Sequence, residues 1–304
     1  MTRAIVTLLL LLASLAGAAA DESKIRVGPI DAVLTVPSDV TRPPVALLIA
    51  GSGSTDHDGN GPQLKPATLK KLSEQLVARG IATLRYDKRG AGGWKKEFGH
   101  PEDFRFKDFV GDAAALIDYL RGSGQFSRVA VVGHSEGGLV AILAAQRVPV
   151  DRLVLLATAA RKQGALLKAQ LEKQLPSDKF APIAKAIDDI MAGQVVDPPP
   201  AGLAIAPAMQ PSIASAFTED PIDPMKKITG PSLIIAGGRD HQLARLDFLA
   251  LASADFAAKS LWLPDMNHVL VDVSDEADDQ ASYNQPERPL DPDMIDAVSN
   301  FISD

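Results

Sequence analysis

The sequence predicts an α/β fold, a mostly parallel, doubly covered sheet with a helical cap insertion. Three observations predict it. Apolar runs at residues 45–50, 129–132 and 232–236 are near-continuous, as expected of strands buried on both faces. Stretches of helical spacing alternate with such runs, as at 67–79 and 104–120. About seventy residues then separate the run ending near Leu156 from the one opening near Pro231, too many for a simple βα connection.

Taken in order, residues 1–20 stand apart from the fold. Arg3 precedes an apolar stretch over 4–15, and Ala18-Ala19-Ala20 has the small-x-small pattern of a cleavage site before Asp21-Glu22. The expectation is a signal peptide cleaved after Ala20, hence a secreted or periplasmic protein without a stable membrane anchor. Residues 24–36 alternate apolar and polar and are expected to form an opening hairpin. The strand at 45–50 runs into the loop Gly51-Ser52-Gly53-Ser54. A helix follows over 67–79, with Leu69, Leu72, Leu76 and Val77 on one face and Gly80 just past its end.

A strand is expected at 81–85, a helix at 104–120 closed by Gly122, a strand at 129–132, a helix over 138–146 and a strand at 152–156. The cap insertion, about residues 158–228, holds helical stretches at 161–174, 178–192 and around 212–217, and the Pro-rich Asp197-Pro198-Pro199-Pro200. Strands at 232–236 and 259–263 resume the sheet, and a last helix covers 291–302. Residues 272–291 read as a surface loop, with Asp275, Glu276, Asp278 and Asp279 as a solvated face. Residues 21–304 thus form one domain carrying an insertion.

Composition narrows the function. The 304 residues are 46% hydrophobic with a formal charge of -7, and no basic cluster offers a surface to nucleic acid or anionic lipid. The chain has no cysteine, which excludes a thiol nucleophile, a disulfide framework and a lipid anchor on cysteine.

The chemistry is concentrated at Gly133-His134-Ser135-Glu136-Gly137, a G-x-S-x-G pattern between a strand and a helix. In such an elbow the serine sits on a strained turn at the tip of the sheet, and the flanking glycines let strand and helix approach. A serine needs a base, and the base a carboxylate, both arriving later in the chain. Of five histidines, His134 lies inside the elbow and is expected to point away from the hydroxyl; His57 and His100 lie upstream, and His241 adjoins Asp240. His268 follows the last strand and is the candidate base. Asp240, in Gly237-Gly238-Arg239-Asp240 behind the strand at 232–236, is the candidate carboxylate, with Asp265 as runner-up. The oxyanion donors expected are the backbone N–H groups of Glu136 and of Ser52, with Gly53 as the alternative to Ser52. No G-K-[ST] follows Gly51-Ser52-Gly53, which argues against a phosphate site, and Asp56-His57-Asp58-Gly59-Asn60 lacks the remaining ligands of a calcium loop.

With these residues in hand, the chain resembles the α/β-hydrolase superfamily over nearly all of residues 21–304. The segment from Leu48 to Asn60 resembles the oxyanion loop of bacterial carboxylesterases of the EstD-like group. Arg85-Tyr86-Asp87-Lys88-Arg89-Gly90 is similar to the superfamily's D-x-R-G segment, read here as a turn in which Asp87 and Arg89 brace neighbouring loops. The chain departs from the group at Ser54, where proline is common, and at Gly92-Gly93-Trp94, where Gly-x-Ser is common; both bear on the pocket mouth. The resemblance implies serine-dependent hydrolysis of a small-molecule ester through Ser135, Asp240 and His268, without a cofactor or metal. Leu203, Ile205, Met209, Ile213 and Phe217 of the cap are expected to offer an apolar acyl or alcohol pocket, or else to pack the cap onto the core. A small serine peptidase or amidase, and a non-catalytic binding protein, are the rival readings.

Overall fold

A computed structural model describes residues 20–92 and 101–304. The expected signal peptide, except for Ala20, lies outside the described residues, as do His100 and the Gly93-Trp94 departure.

The chain opens with β1 (Ala20–Val27) and β2 (Ile30–Pro37), then β3 (Val45–Ile49), α1 (Thr68–Val77) and β4 (Ala82–Tyr86). Next come α2 (Phe106–Gly122), β5 (Val129–His134), α3 (Glu136–Arg147) and β6 (Arg152–Leu156). Four helices follow before the next strand: α4 (Gln163–Gln174), α5 (Ser177–Met191), α6 (Gln210–Phe217) and α7 (Ile222–Met225). The chain ends with β7 (Ser232–Gly237), α8 (Arg245–Ala254), β8 (Lys259–Leu263), α9 (Glu276–Ser282) and α10 (Pro292–Ser303).

Among the described residues the strands form one eight-stranded sheet in the order β1-β2-β4-β3-β5-β6-β7-β8. The hairpin pairs β1 with β2 antiparallel, β2 meets β4 antiparallel, and β4 through β8 are parallel. This is the α/β-hydrolase fold. From β3 the chain steps outward to β4, and from β5 it steps the other way to β6, β7 and β8. The loops leaving the carboxyl ends of β3 and β5 therefore diverge, and an open parallel sheet binds its ligands in the crevice between such loops.

The apolar runs are continuous because both faces are covered. Val45, Leu47 and Ile49 pack on one side with Phe106, Leu116 and Ile117 of α2 and with Leu139 and Val140 of α3. Ala46 and Leu48 face the other side, with Leu69, Leu72 and Leu76 of α1 and Met294, Val298 and Ile302 of α10. The helices between β6 and β7 hold a small core of their own, made by Ile183, Ala186, Ile187, Ile190, Leu203 and Phe217.

Three elements were not expected. α8 carries the exposed Leu246 and Leu249, and these blur its apolar periodicity. α7 is a single turn. The stretch 272–291 is not simply a surface loop. It contains α9, capped by Asp275, whose side chain accepts from the Asp278 N–H. Its acidic cluster is not one solvated face either, because Asp279 is buried and Asp278 pairs with Arg288.

Candidate active site

The crevice is built around a turn between β5 and α3. Ser135 has φ 55° and ψ -121°, a conformation that a non-glycine residue adopts only when its surroundings impose it. The surroundings leave no room for side chains. A Cβ on Gly133 would lie 2.3 Å from the Gly137 carbonyl oxygen, and one on Gly137 would lie 2.3 Å from that of Ile49. Gly138 belongs to the same set, for its Cβ would meet Thr158 Oγ1 at 2.0 Å. The Ser135 N–H donates to the Leu156 carbonyl at 2.9 Å, which ties the turn to β6.

His268 and Asp240 reach Ser135 from the loops that leave β8 and β7. The loop after β7 lies directly on the loop after β8, because Gly237 and Gly238 have no Cβ to meet the carbonyls of Met266 and Pro264 at 2.0 and 2.3 Å. His268 Nδ1–H donates to Asp240 Oδ2 at 2.8 Å, and its Nε2 faces Ser135 Oγ at 3.1 Å. With the Nδ1 proton held there, Nε2 is left as the acceptor of the serine proton. Both side chains are nearly covered, 6% and 1% exposed. Burial pushes the Asp240 carboxyl up, but His268 and the N–H groups of Leu243 and Gln242 outweigh it and hold the group below its ordinary range.

The other histidines and Asp265 stay away from the serine. His134 points off the hydroxyl, and its Nε2–H donates to the His268 carbonyl at 2.8 Å. Burial, with His268 nearby, lowers its pKa to about 4, so it stays neutral at pH 7. His57 donates from Nδ1 to Asp87 at 2.7 Å. His241 is exposed, 4.0 Å from Asp279, and Asp265 is exposed, 3.9 Å from Arg239. Residue-level patterns missed Asn267. It is fully buried, its Nδ2 donates to Asp279 and Ser282, and its Oδ1 accepts from the Val269 and Val271 N–H groups. It holds the loop that carries His268.

The backbone N–H groups of Ser52 and Glu136, the expected oxyanion donors, have no acceptor among the described residues. Beside them lies an ion pair that the sequence did not announce. Lys88 Nζ donates to Glu136 Oε1 at 2.7 Å and to the Gly51 carbonyl at 2.6 Å, and Gln163 Nε2 donates to Glu136 Oε2 at 2.8 Å. Burial raises the Glu136 pKa, yet Lys88, Gln163 and Ser52 more than offset it, and the carboxyl stays ionised below its usual range. Asp87 accepts from the His57 N–H at 2.8 Å and braces that loop, whereas Arg89 grips Asp112 at 2.6 and 2.7 Å and so ties its loop to helix α2, not to a neighbouring loop. Asp56 accepts from the N–H groups of its own turn, at Asp58 and Asn60.

Two chambers meet at Ser135. One, of about 500 Å³, lies under the cap and is walled by Phe104, Phe106, Phe109, Ile205, Met209, Ile213 and Phe217. The other, of about 470 Å³, opens past Pro62, Leu64, Pro66, Val269 and Tyr283. Ser54 lines both, as do Ser52, Gly53, Gln242 and His268. Leu203, expected at the pocket, belongs instead to the small core of the cap. Among the described residues no group of three or more His, Asp or Glu side chains is arranged to hold a metal, and no helix is long and apolar enough to cross a membrane.

Residues 66–191 match the family model described as serine aminopeptidase, S33. The chain is 26% identical to Esterase EstD of Thermotoga maritima over 288 residues, 93% of this chain and 67% of that one. Among solved structures, Est1E from Butyrivibrio proteoclasticus with bound ferulic acid is similar at a TM-score of 0.57 and 19% identity, covering 92% of this chain and 96% of that one. The proline iminopeptidase of Mycobacterium smegmatis is similar at a TM-score of 0.60 and 17% identity, covering 93% and 97%.

Proposed function

We propose that this α/β-hydrolase is a serine carboxylesterase working through Ser135, His268 and Asp240. The observation that carries the reading is the unbroken line of hydrogen bonds from Asp240 through His268 to Ser135, at 2.8 and 3.1 Å, beside two backbone donors that have no acceptor among the described residues.

His268 Nε2 takes the Ser135 proton as Oγ attacks the acyl carbonyl. The carbonyl oxygen gains the negative charge and is met by the N–H groups of Ser52 and Glu136. Collapse of this adduct breaks the bond to the alcohol oxygen, which leaves with the proton from His268. Water then gives a proton to His268, attacks the acyl-enzyme and releases the acid, and Ser135 recovers its proton. Asp240 keeps the ring oriented and balances its charge while it is protonated. The two chambers fit an ester with a substantial group on each side of the carbonyl.

The peptidase reading draws support from the family model and from the iminopeptidase likeness. An aminopeptidase must hold a substrate ammonium near the nucleophile. Glu136 is the only carboxylate among the described residues lining either chamber, and it is already paired with Lys88 and Gln163. That favours esters. The pattern of the first twenty residues supports export, so the proposal extends to a mature chain beginning at Asp21 and acting outside the cytoplasm.

Hydrolysis of p-nitrophenyl acyl esters by residues 21–304, beside Ser135→Ala and the matching p-nitroanilides, tests the reading. Ester turnover is expected, falling by roughly four to six orders of magnitude in the variant. Faster cleavage of the anilides overturns it in favour of a peptidase.

A further inference from the structure

We infer that Lys88 is a positioning residue for the oxyanion hole, a clamp that sets both of its backbone donors at once. The inference rests on the proposed function, since it concerns how that site handles charge.

An ammonium group is costly to bury, and the Lys88 side chain is 2% exposed. Its partners explain the placement. One is the Gly51 carbonyl, at 2.6 Å. That carbonyl and the Ser52 N–H belong to one planar trans peptide and point in opposite directions. Holding the oxygen towards Lys88 therefore turns the Ser52 N–H away from it, towards the crevice. The second is Glu136 Oε1, at 2.7 Å, on the residue whose backbone N–H is the other donor. The remaining side of the ammonium faces the Phe109 ring, 5.2 Å from its centroid. The Lys88 backbone also takes part, its N–H donating to the Thr55 carbonyl at 3.0 Å. One residue thus grips the oxyanion loop at Gly51 and at Thr55, and ties it to the first residue of α3.

A buried ion pair with a purely structural duty predicts only lost stability when it is removed. A clamp predicts lost transition-state stabilisation in a protein that still folds and still binds ester. The variants are Lys88→Met and the double change Lys88→Met with Glu136→Gln, which leaves no unpaired buried carboxylate. In the double variant the expectation is a melting temperature near that of the wild type, kcat lower by roughly 30-fold, and KM within about twofold. Inhibition by a trifluoromethyl ketone, which forms a tetrahedral adduct on Ser135, weakens by a similar factor. A double variant with kcat within about threefold of wild type, or a loss confined to KM, overturns the clamp. If the wild type cleaves no ester, the proposed function fails by itself. The clamp is then judged by fluorophosphonate labelling of Ser135: slowed labelling of the double variant supports it, and unchanged labelling, or none of the wild type, overturns it.

Discussion

At the elbow, three glycines stand where a methyl group would overlap a backbone carbonyl or Thr158 at 2.0–2.3 Å. Across the same cavity, the cap presents Ile205, Met209, Ile213 and Phe217, side chains for which other apolar groups can substitute. The elbow is specified by what cannot be there, and the cap by approximate volume and greasiness. The machinery that would break the bond is thereby separated from the surface that would choose the substrate. The first is locked into backbone geometry, and the second is carried on helices with their own small core.

The largest expected effect lies on the elbow side. Gly133→Ala places its methyl against the Gly137 carbonyl, a backbone atom that cannot swing aside. We expect a melting temperature lower by about 10 °C or more, or no soluble protein, as for other severe backbone clashes. Thermal melting checks this, and a variant that melts within a degree or two of wild type would break the comparison.

Ile213→Ala probes the cap. It enlarges the chamber without touching Ser135, His268 or Asp240. The ratio of kcat/KM for long over short acyl chains, or for bulky over small alcohols, is expected to rise about tenfold. Rates on a p-nitrophenyl series and an alkyl-ester series read the shift. An equal loss on every ester would place Ile213 in the chemistry and blur the division.

The smallest effect concerns pH. His134 stays neutral in the folded protein down to about pH 4, whereas in the unfolded chain it takes up a proton below its ordinary pKa of about 6.5. The unfolded state then binds more protons, so stability falls as pH drops from about 6.5 towards 4. In His134→Gln the side-chain amide can still donate to the His268 carbonyl, but the titration is gone. The fall in melting temperature between pH 7 and 4.5 is expected to be about 5 °C smaller than in wild type. Equal slopes in the two proteins would remove His134 from the acid response and sharpen the elbow's description to geometry alone.

These differences also explain what was legible in the sequence. That Ser135, Asp240 and His268 would converge could be anticipated because each sits just behind an apolar run, in a fixed chain order, and glycines near the first two mark close backbone approach. Strand positions followed from continuous apolar runs. Lys88 and the Glu136 side chain were invisible, because the pair joins residues 48 apart in the chain and nothing in either neighbourhood announces the other. α9 was read as loop because acidic residues fill its first turn. There they serve the helix, with Asp275 as its cap. The length of the stretch marked the insertion, but its apolar residues could not be divided between its own core and the cavity wall. Leu203 went to the first, and Ile213 serves both, packed against the cap core and lining the chamber.

Asn267 shows how narrow the margin is at the base. Its side-chain amide is 2.7 Å from an Asp279 carboxylate oxygen and 2.8 Å from Ser282 Oγ. Hydrolytic loss of that amide exchanges one nitrogen for one oxygen and barely alters volume. It would nonetheless set two carboxylates face to face in a buried pocket, next to the candidate base. Chemical ageing of a single asparagine would thus strike the loop of the candidate base without first disturbing the sheet.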